Sequence, residues 1–446
     1  MGQTIGVISL GCSKNRVDTE QMLALLRQAG YDFTQRPEDA DLVIINTCSF
    51  IQSAKEESIE TILEIAQQKQ RRPQFKLLVT GCFPERYREE LIRELPEVDG
   101  FMGVNQYGAV VSVVGRILGG ENVAMFDAAQ LADESNRVLT TPSHLAYVRI
   151  AEGCDLHCTY CAIPAIRGKY RSRSMEDIYN ECARLAQTGV QEIVLIAQDT
   201  SYYGKDRYGA FVLPKLLKKL GKCGAPWIRL LYTYPERITD ELLDTIVRTD
   251  NVINYLDMPL QHIDDEVLKR MGRPTSHRHV QYLLERIRSM EEEIPFTLRT
   301  TMIAGFPGET QAQHETLLSF IGEGYFDHLG AFAYSREERT KAALMDGQLP
   351  ESVKQQRAQA ILRVQRGISF QKNQQRIGHA RKVLIEGYDE REQVAYGRIS
   401  AQAPEVDGLT FVQNCPADRV GTFVRCRIDQ AEEYDLIGVH TDDACK

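Results

Sequence analysis

No apolar run in this sequence approaches the ~18 residues that a membrane span needs. Met1-Gly2-Gln3-Thr4-Ile5-Gly6 has no basic start and no long apolar core, so it is not read as a signal peptide. Gly6 stands where a myristoylation signal wants Ser or Thr, and Ser9-Leu10-Gly11-Cys12 has nothing upstream to make it a lipidation box. Internal repeats and low-complexity tracts are absent. Basic charge is in deficit, with 53 Lys+Arg against 62 Asp+Glu and a net charge of −9. That disfavours non-specific nucleic-acid binding, which runs on cations neutralising phosphates. A small disulfide framework is excluded too, because the eleven cysteines are odd in number and scattered over 446 residues. The expectation is a soluble cytoplasmic protein whose cysteines are reduced and free to act as thiolates.

What is present is ordinary globular composition, 43% hydrophobic and 26% charged, and enough chain for about three domains. The first segment alternates strand-like runs (4–10, 42–45, 76–80) with helical spacing (18–29, 53–67, 84–95), which predicts an open parallel α/β sheet. A weaker helix is expected over 107–118, and the polar stretch 119–143 reads as a linker. From 144 the alternation resumes. Strands are expected at 145–150, 192–197, 228–232, 255–258, 296–303 and 328–333, with helical stretches between them. Six such units suggest a partial (βα)6 barrel with its chemistry at the C-terminal strand ends. Residues 350–376 form one long helical run. Short strands separated by Gly and Pro turns then predict a small antiparallel β-barrel. The resulting division is 1–118, 119–143, 144–376 and 377–446.

Two groups of cysteines carry the chemistry. Cys154, Cys158 and Cys161 stand at C-x3-C-x2-C just past the first barrel strand. A structural zinc ion normally takes four ligands, whereas a cubane iron–sulfur cluster takes one cysteine per iron. Three cysteines therefore favour a cluster with one open iron, with zinc as the alternative. Cys12, Cys48 and Cys82 each fall within about two residues of the end of a strand in the first segment. Parallel strand ends line one crevice, so these three are expected to converge as a second such site. The alternative is three unrelated buried thiols. Cys182 is expected in the core, Cys223, Cys415, Cys426 and Cys445 have no partner spacing, and Cys445 is expected to be solvated.

C-x3-C-x2-C with Tyr160 before its last cysteine resembles the radical S-adenosylmethionine (SAM) superfamily. Cys12, Cys48 and Cys82 upstream and a terminal β-barrel make the whole chain similar to the methylthiotransferase family within it. Ser9-Leu10-Gly11-Cys12-Ser13-Lys14-Asn15-Arg16-Val17-Asp18, the 167–173 stretch from Arg167, the 197–204 stretch and the 255–262 stretch resemble the branch that modifies an aspartate of a small-subunit ribosomal protein, the twelfth. The tRNA-modifying branch usually has Gln-Met-Asn where this chain has Ser13-Lys14-Asn15.

The resemblance implies two 4Fe–4S clusters and SAM as cofactors. Cys154, Cys158 and Cys161 would hold the cluster that binds and cleaves SAM, and Cys12, Cys48 and Cys82 the cluster that presents sulfur. The cofactor carries the hard chemistry, removal of hydrogen from the unactivated aspartate β-carbon. The product implied is 3-methylthioaspartate. An electron donor such as a flavodoxin or ferredoxin and a sulfur donor are implied as partners. Alternatives are a tRNA adenosine methylthiotransferase and a non-catalytic iron–sulfur electron carrier. Tyr160, Gln198, Asp199, Gly305 and Gly308 are further candidates for contact with SAM; a core tyrosine is the alternative for Tyr160, and no more than a tight turn for Gly305 and Gly308. Arg167, Lys169, Arg171 and Arg173 read as a basic loop, solvated or facing a ligand, and His262 as a structural histidine. The terminal module, resembling a TRAM domain, has 8 Lys+Arg against 13 Asp+Glu over 377–446, which favours a basic protein over RNA as its partner.

Overall fold

The computed structural model describes residues 2–126, 136–291 and 295–441; Cys445 lies outside them. In the first segment, β1 (Thr4–Ser9), β2 (Asp32–Thr34), β3 (Leu42–Thr47), β4 (Lys76–Gly81), β5 (Gly100–Met102) and β6 (Val123–Met125) form one sheet in the order β2-β1-β3-β4-β5-β6. All its pairings are parallel. Every residue of β3 is buried, the mark of a strand covered by helices on both faces. The three strands read from sequence are β1, β3 and β4, and they are neighbours. β2, β5 and β6 are three residues each, too short to show a period. β6 lies inside the stretch 119–143 that reads as a linker, and pairs with β5. Residues 127–135 of that stretch are outside the described residues.

The middle segment supplies six parallel strands in two sheets. β7 (Leu145–Arg149), β10 (Glu192–Ile196) and β11 (Trp227–Leu230) form one, and β12 (Tyr255–Gln261), β13 (Thr297–Ala304) and β14 (His328–Ala333) the other. A single bridge, Ile228 with Val252, spans the seam between them. A short antiparallel pair, β8 (Ala151–Glu152) with β9 (Arg171–Ser172), follows β7. Side chains alternate along the strands. Ala146, Val148, Ile193 and Leu195 face the helices, while Leu145, Tyr147, Val194 and Ile196 face inward. Six strands do not close a barrel. The inner face is covered by Val17 from the first segment and by Leu384, Ala403 and Phe423 from the last.

The helix Glu351–Gln374 leads to the terminal barrel. β15 (Ala380–Asp389), β16 (Val394–Ile399), β17 (Thr410–Gln413), β18 (Phe423–Ala431) and β19 (Leu436–Thr441) close in the order β15-β16-β17-β19-β18. Four pairings are antiparallel and β17 runs parallel to β19, a departure from the purely antiparallel expectation. Buried charge ties this barrel to the middle segment: Glu192 accepts from Arg398 at 2.6 Å and from Arg229 at 2.6 Å.

Candidate active site

Cys12 precedes the helix Ser13–Gln28, Cys48 follows β3 directly, and Cys82 opens the helix Cys82–Tyr87 directly after β4. Because β1, β3 and β4 are adjacent and parallel, the three cysteines gather at one end of the sheet. Asn15 shows how tightly. Its Oδ1 lies 3.9 Å from Cys12 Sγ and 3.7 Å from Cys82 Sγ. Its Nδ2 donates to the carbonyls of Leu10 and Thr47. Two glycines permit the approach. A Cβ on Gly11 would stand 2.7 Å from Cys48 Cβ, and one on Gly81 would meet Asn46 Oδ1 at 2.3 Å; both glycines have positive φ.

The second group sits on the loop after β8. Gly153, at φ +82°, lets the chain turn where a Cβ would strike Lys169 O at 2.2 Å. The Cys154 amide donates to Gly168 O, and Thr159 is pinned by Met271 O, Arg270 O and the Ala342 amide. Cys154 and Cys158 are buried and Cys161 half-buried. Burial pushes the Cys154 thiol up to about 11 and those of Cys161 and Cys82 up to about 12. In the metal-free chain these three are protonated at neutral pH, so metal uptake releases protons. Among the described residues no three Cys, His, Asp or Glu side chains close around a point as they would around one ion. Three soft thiolates without a fourth protein ligand are the donor set of a cluster with one open iron rather than of a structural zinc ion. A cluster carrying one thiolate per iron does not demand that closure, and three soft thiolates suit it.

A buried polar bridge joins the two groups. Arg167 donates to Asn15 Oδ1 at 2.6 Å, Cys82 Sγ at 3.4 Å, Asp18 Oδ2 at 2.8 Å and Glu152 Oε2 at 3.3 Å. Arg149 donates to the same two carboxylates. Burial would raise Glu152, but Arg167, Arg149 and a bond from Gln198 outweigh it and hold its carboxyl at about 2. Asn15 and Asp18 entered the sequence reading only as part of the stretch that carries the resemblance; with Cys12 they recur every three residues, a spacing that puts them on one helix face. Arg167 is 2% exposed, so the solvated-loop reading fails for it. Arg173 is likewise engaged, with Glu181 and Arg149 O, and Arg171 with Asn105; Lys169 is exposed.

The other candidates divide. Tyr160 lines a cavity of about 870 Å³ together with Phe50 and Ile51 from the Cys48 loop, Ile303, Tyr334 and Lys354. Gln198 donates to Glu152 at 2.6 Å and leaves its own Oε1 buried without a partner, a polar atom open to a ligand. The Asp199 carboxylate is already taken by Ser201, the Tyr202 amide and Arg237, which makes it a turn cap rather than a free contact. Gly305 and Gly308 do not present bare backbone to a cofactor. A Cβ on the first would meet Lys354 Cγ at 2.6 Å and on the second Arg270 Nη1 at 2.1 Å, so protein fills both spaces. His262 is buried, and its Nδ1 accepts from the Asp264 amide, a structural role. Cys182 and Cys223 lie in the middle core, and Cys415 and Cys426 in the terminal barrel core.

Residues 4–103 match a family described as uncharacterized, UPF0004; residues 148–321 match the Radical SAM superfamily; residues 377–440 match the TRAM domain. The chain is 45% identical to the ribosomal protein uS12 methylthiotransferase RimO of Thermoanaerobacter sp. over 98% of its length and 99% of the relative's. It is also 45% identical to the protein of that name from Clostridium kluyveri, over 99% of each. Among solved structures it resembles the radical SAM methyltransferase TsrM from Kitasatospora setae (TM-score 0.55, 13% identity, 74% of this chain and 73% of that one). A further likeness is to the cobalamin-dependent radical SAM enzyme OxsB (TM-score 0.51, 11% identity, 81% and 56%). At those identities the likeness is one of fold.

Proposed function

This chain belongs to the family of ribosomal protein uS12 methylthiotransferases, radical SAM enzymes that use two 4Fe–4S clusters and SAM, and from that premise we propose that it adds a methylthio group to the β-carbon of an aspartate in uS12. The observation that carries the reading is one cavity walled both by the loop after Cys48 and by Tyr160 of the loop that carries Cys154, Cys158 and Cys161. The cavity wall thus includes chain adjoining one cysteine of each group, Cys48 and Cys161.

We assign Cys154, Cys158 and Cys161 to the cluster that binds SAM, and Cys12, Cys48 and Cys82 to the cluster that presents sulfur. When bound, these groups supply the hydrogen removal and the sulfur. The chain's own part is to hold, orient and exclude water. Asn15 and Arg167 hold the Cys12 and Cys82 thiols in place. Glu152 and Gln198 set a polar wall beside Cys154, with the unpartnered Gln198 Oε1 open to a donor on SAM. Tyr160 supplies apolar surface beside it. An electron donor such as a flavodoxin or ferredoxin, and a sulfur donor, complete the reaction. The acidic terminal barrel serves to draw in the basic substrate protein.

A tRNA substrate and a plain electron carrier are less favoured. The uS12-modifying relatives match end to end, and a carrier has no use for a cavity shared by two sites. The test is anaerobic reconstitution with iron and sulfide, then incubation with SAM, reductant and uS12. The reading expects 5′-deoxyadenosine and a mass gain of one SCH2 unit on the aspartate. Modification of tRNA and not of uS12 would overturn it.

A further inference from the structure

We propose that Lys14 is the residue that receives the side-chain carboxylate of the substrate aspartate, and so sets the enzyme's preference for that residue; the inference rests on the uS12 reading above. Lys14 is nine-tenths buried, two residues after Cys12. Its Nζ stands 3.4 Å from the centroid of the Tyr232 ring. Tyr232 lies just past the end of β11, at the barrel mouth. It is held in an unusual backbone state for an aromatic residue, φ 61°. Three bonds enforce this: its amide donates to Asp257 Oδ2 at 3.0 Å, and its carbonyl accepts from the Thr200 amide at 2.9 Å and from Thr200 Oγ1 at 3.0 Å. The ring is thereby fixed as one wall of an ammonium site.

The rest of that site is empty of anions. Among the described residues no carboxylate lies within ion-pair distance of Lys14 and no acceptor takes one of its three protons. Its cationic neighbours are matched: Arg16 with Glu405, Arg167 with Asp18 and Glu152, Arg237 with Asp199. A buried charge with only an aromatic face for company is costly unless an anion joins it. Placement identifies the anion. Lys14 lies two residues after Cys12 and against the ring that follows β11, so a substrate side chain presented to the Cys12 group comes into its neighbourhood. In aspartate the β-carbon is bonded directly to the carboxylate carbon. Anchoring the carboxylate therefore places the reacting carbon within one bond, which a longer acidic side chain would not achieve.

The test compares binding of uS12, and of uS12 with the target aspartate changed to asparagine, to the anaerobically reconstituted full chain. Iron content and melting temperature are measured alongside. The wild-type enzyme should bind the aspartate form about 30-fold or more tighter, the scale of an unpaired buried charge. Lys14→Met should bind both forms alike, and Lys14→Arg should restore the difference. The proposal is overturned if Lys14→Met, with normal iron and melting, still discriminates. It is overturned without any variant if the wild-type enzyme binds both forms equally. If the wild-type enzyme neither binds nor modifies uS12, the underlying reading has failed, a result distinct from equal binding of both forms.

Discussion

Arg167 places one nitrogen 3.4 Å from the Cys82 thiol while the other holds Glu152, two residues before Cys154. One buried guanidinium thus ties a ligand of one cluster site to the loop that carries the other. Removing it leaves Asp18 and Glu152 to share Arg149, a cost below the scale of a buried pair broken outright, about 3–5 kcal/mol. Arg167→Met is expected to lower the urea midpoint of the reconstituted protein and its iron content. Lys, lacking the planar fork, should rescue it only in part. Full iron and an unchanged midpoint in Arg167→Met would refute the role.

The glycine between β4 and Cys82 makes a sharper structural prediction. A Cβ on Gly81 would meet Asn46 Oδ1 at 2.3 Å and Thr47 O at 2.6 Å, at a φ of +98°. Gly81→Ala should therefore spread the ends of β3 and β4 and separate Cys48 from Cys82. Iron analysis is expected to show the Cys12 site depleted while the Cys154 site stays filled.

His262 contributes a pH dependence. Burial depresses its pKa from 6.5 to about 4, and its Nδ1 already accepts the Asp264 amide, so the folded ring resists a proton. Above pH 6.5 both folded and unfolded rings are neutral and nothing is lost. Between about 6.5 and 4 the unfolded chain takes the proton and the folded one does not, so stability falls as pH falls. The loss amounts to about 3 kcal/mol from this group. Denaturation at pH 7 and pH 4.5 should show a smaller drop for His262→Gln than for wild type; equal drops would contradict the assignment.

The terminal barrel is not a detachable module. Arg398 is buried against Glu192 of β10, and Tyr255 donates to Asp407 at 2.6 Å. Deleting the barrel would expose the inner face of the half-open (βα)6 sheet, so its contribution to substrate capture is better tested at the surface. Asp389, Glu390 and Glu392 form an exposed acidic turn. Asp389 caps this turn by accepting the Arg391 and Glu392 amides, so it is left in place; reversing Glu390 and Glu392 to Lys should weaken uS12 binding, most at low salt, and leave melting unchanged. Undiminished binding would argue that the barrel plays no part in substrate capture.

The gathering of Cys12, Cys48 and Cys82 was legible from sequence because parallel strands, read from apolar runs, force their ends together, and Cys154, Cys158 and Cys161 stood out by their spacing. Gln198 followed from its place at a strand end, and Tyr160 from its place directly before Cys161. Arg167 was not legible: in sequence it is one of four cations in a polar loop, and only the packing of the helix Ser13–Gln28 against that loop buries it. Gly305 and Gly308 misled for a related reason. Positive φ shows that a backbone needs freedom, but what fills the space beside it, here Lys354 and Arg270, is set by distant chain. The parallel β17–β19 pairing that closes the terminal barrel was hidden because strand direction leaves no mark on residue alternation.

Iron content after anaerobic reconstitution tests the central claim, that two separate three-thiol sites each hold a cluster. The wild-type chain is expected to carry about eight irons, and the Cys12/Cys48/Cys82→Ala chain about four, with SAM still cleaved at the remaining site. An unchanged iron count in the Cys12/Cys48/Cys82→Ala chain would contradict the second site, and with it the proposed route of sulfur to the substrate.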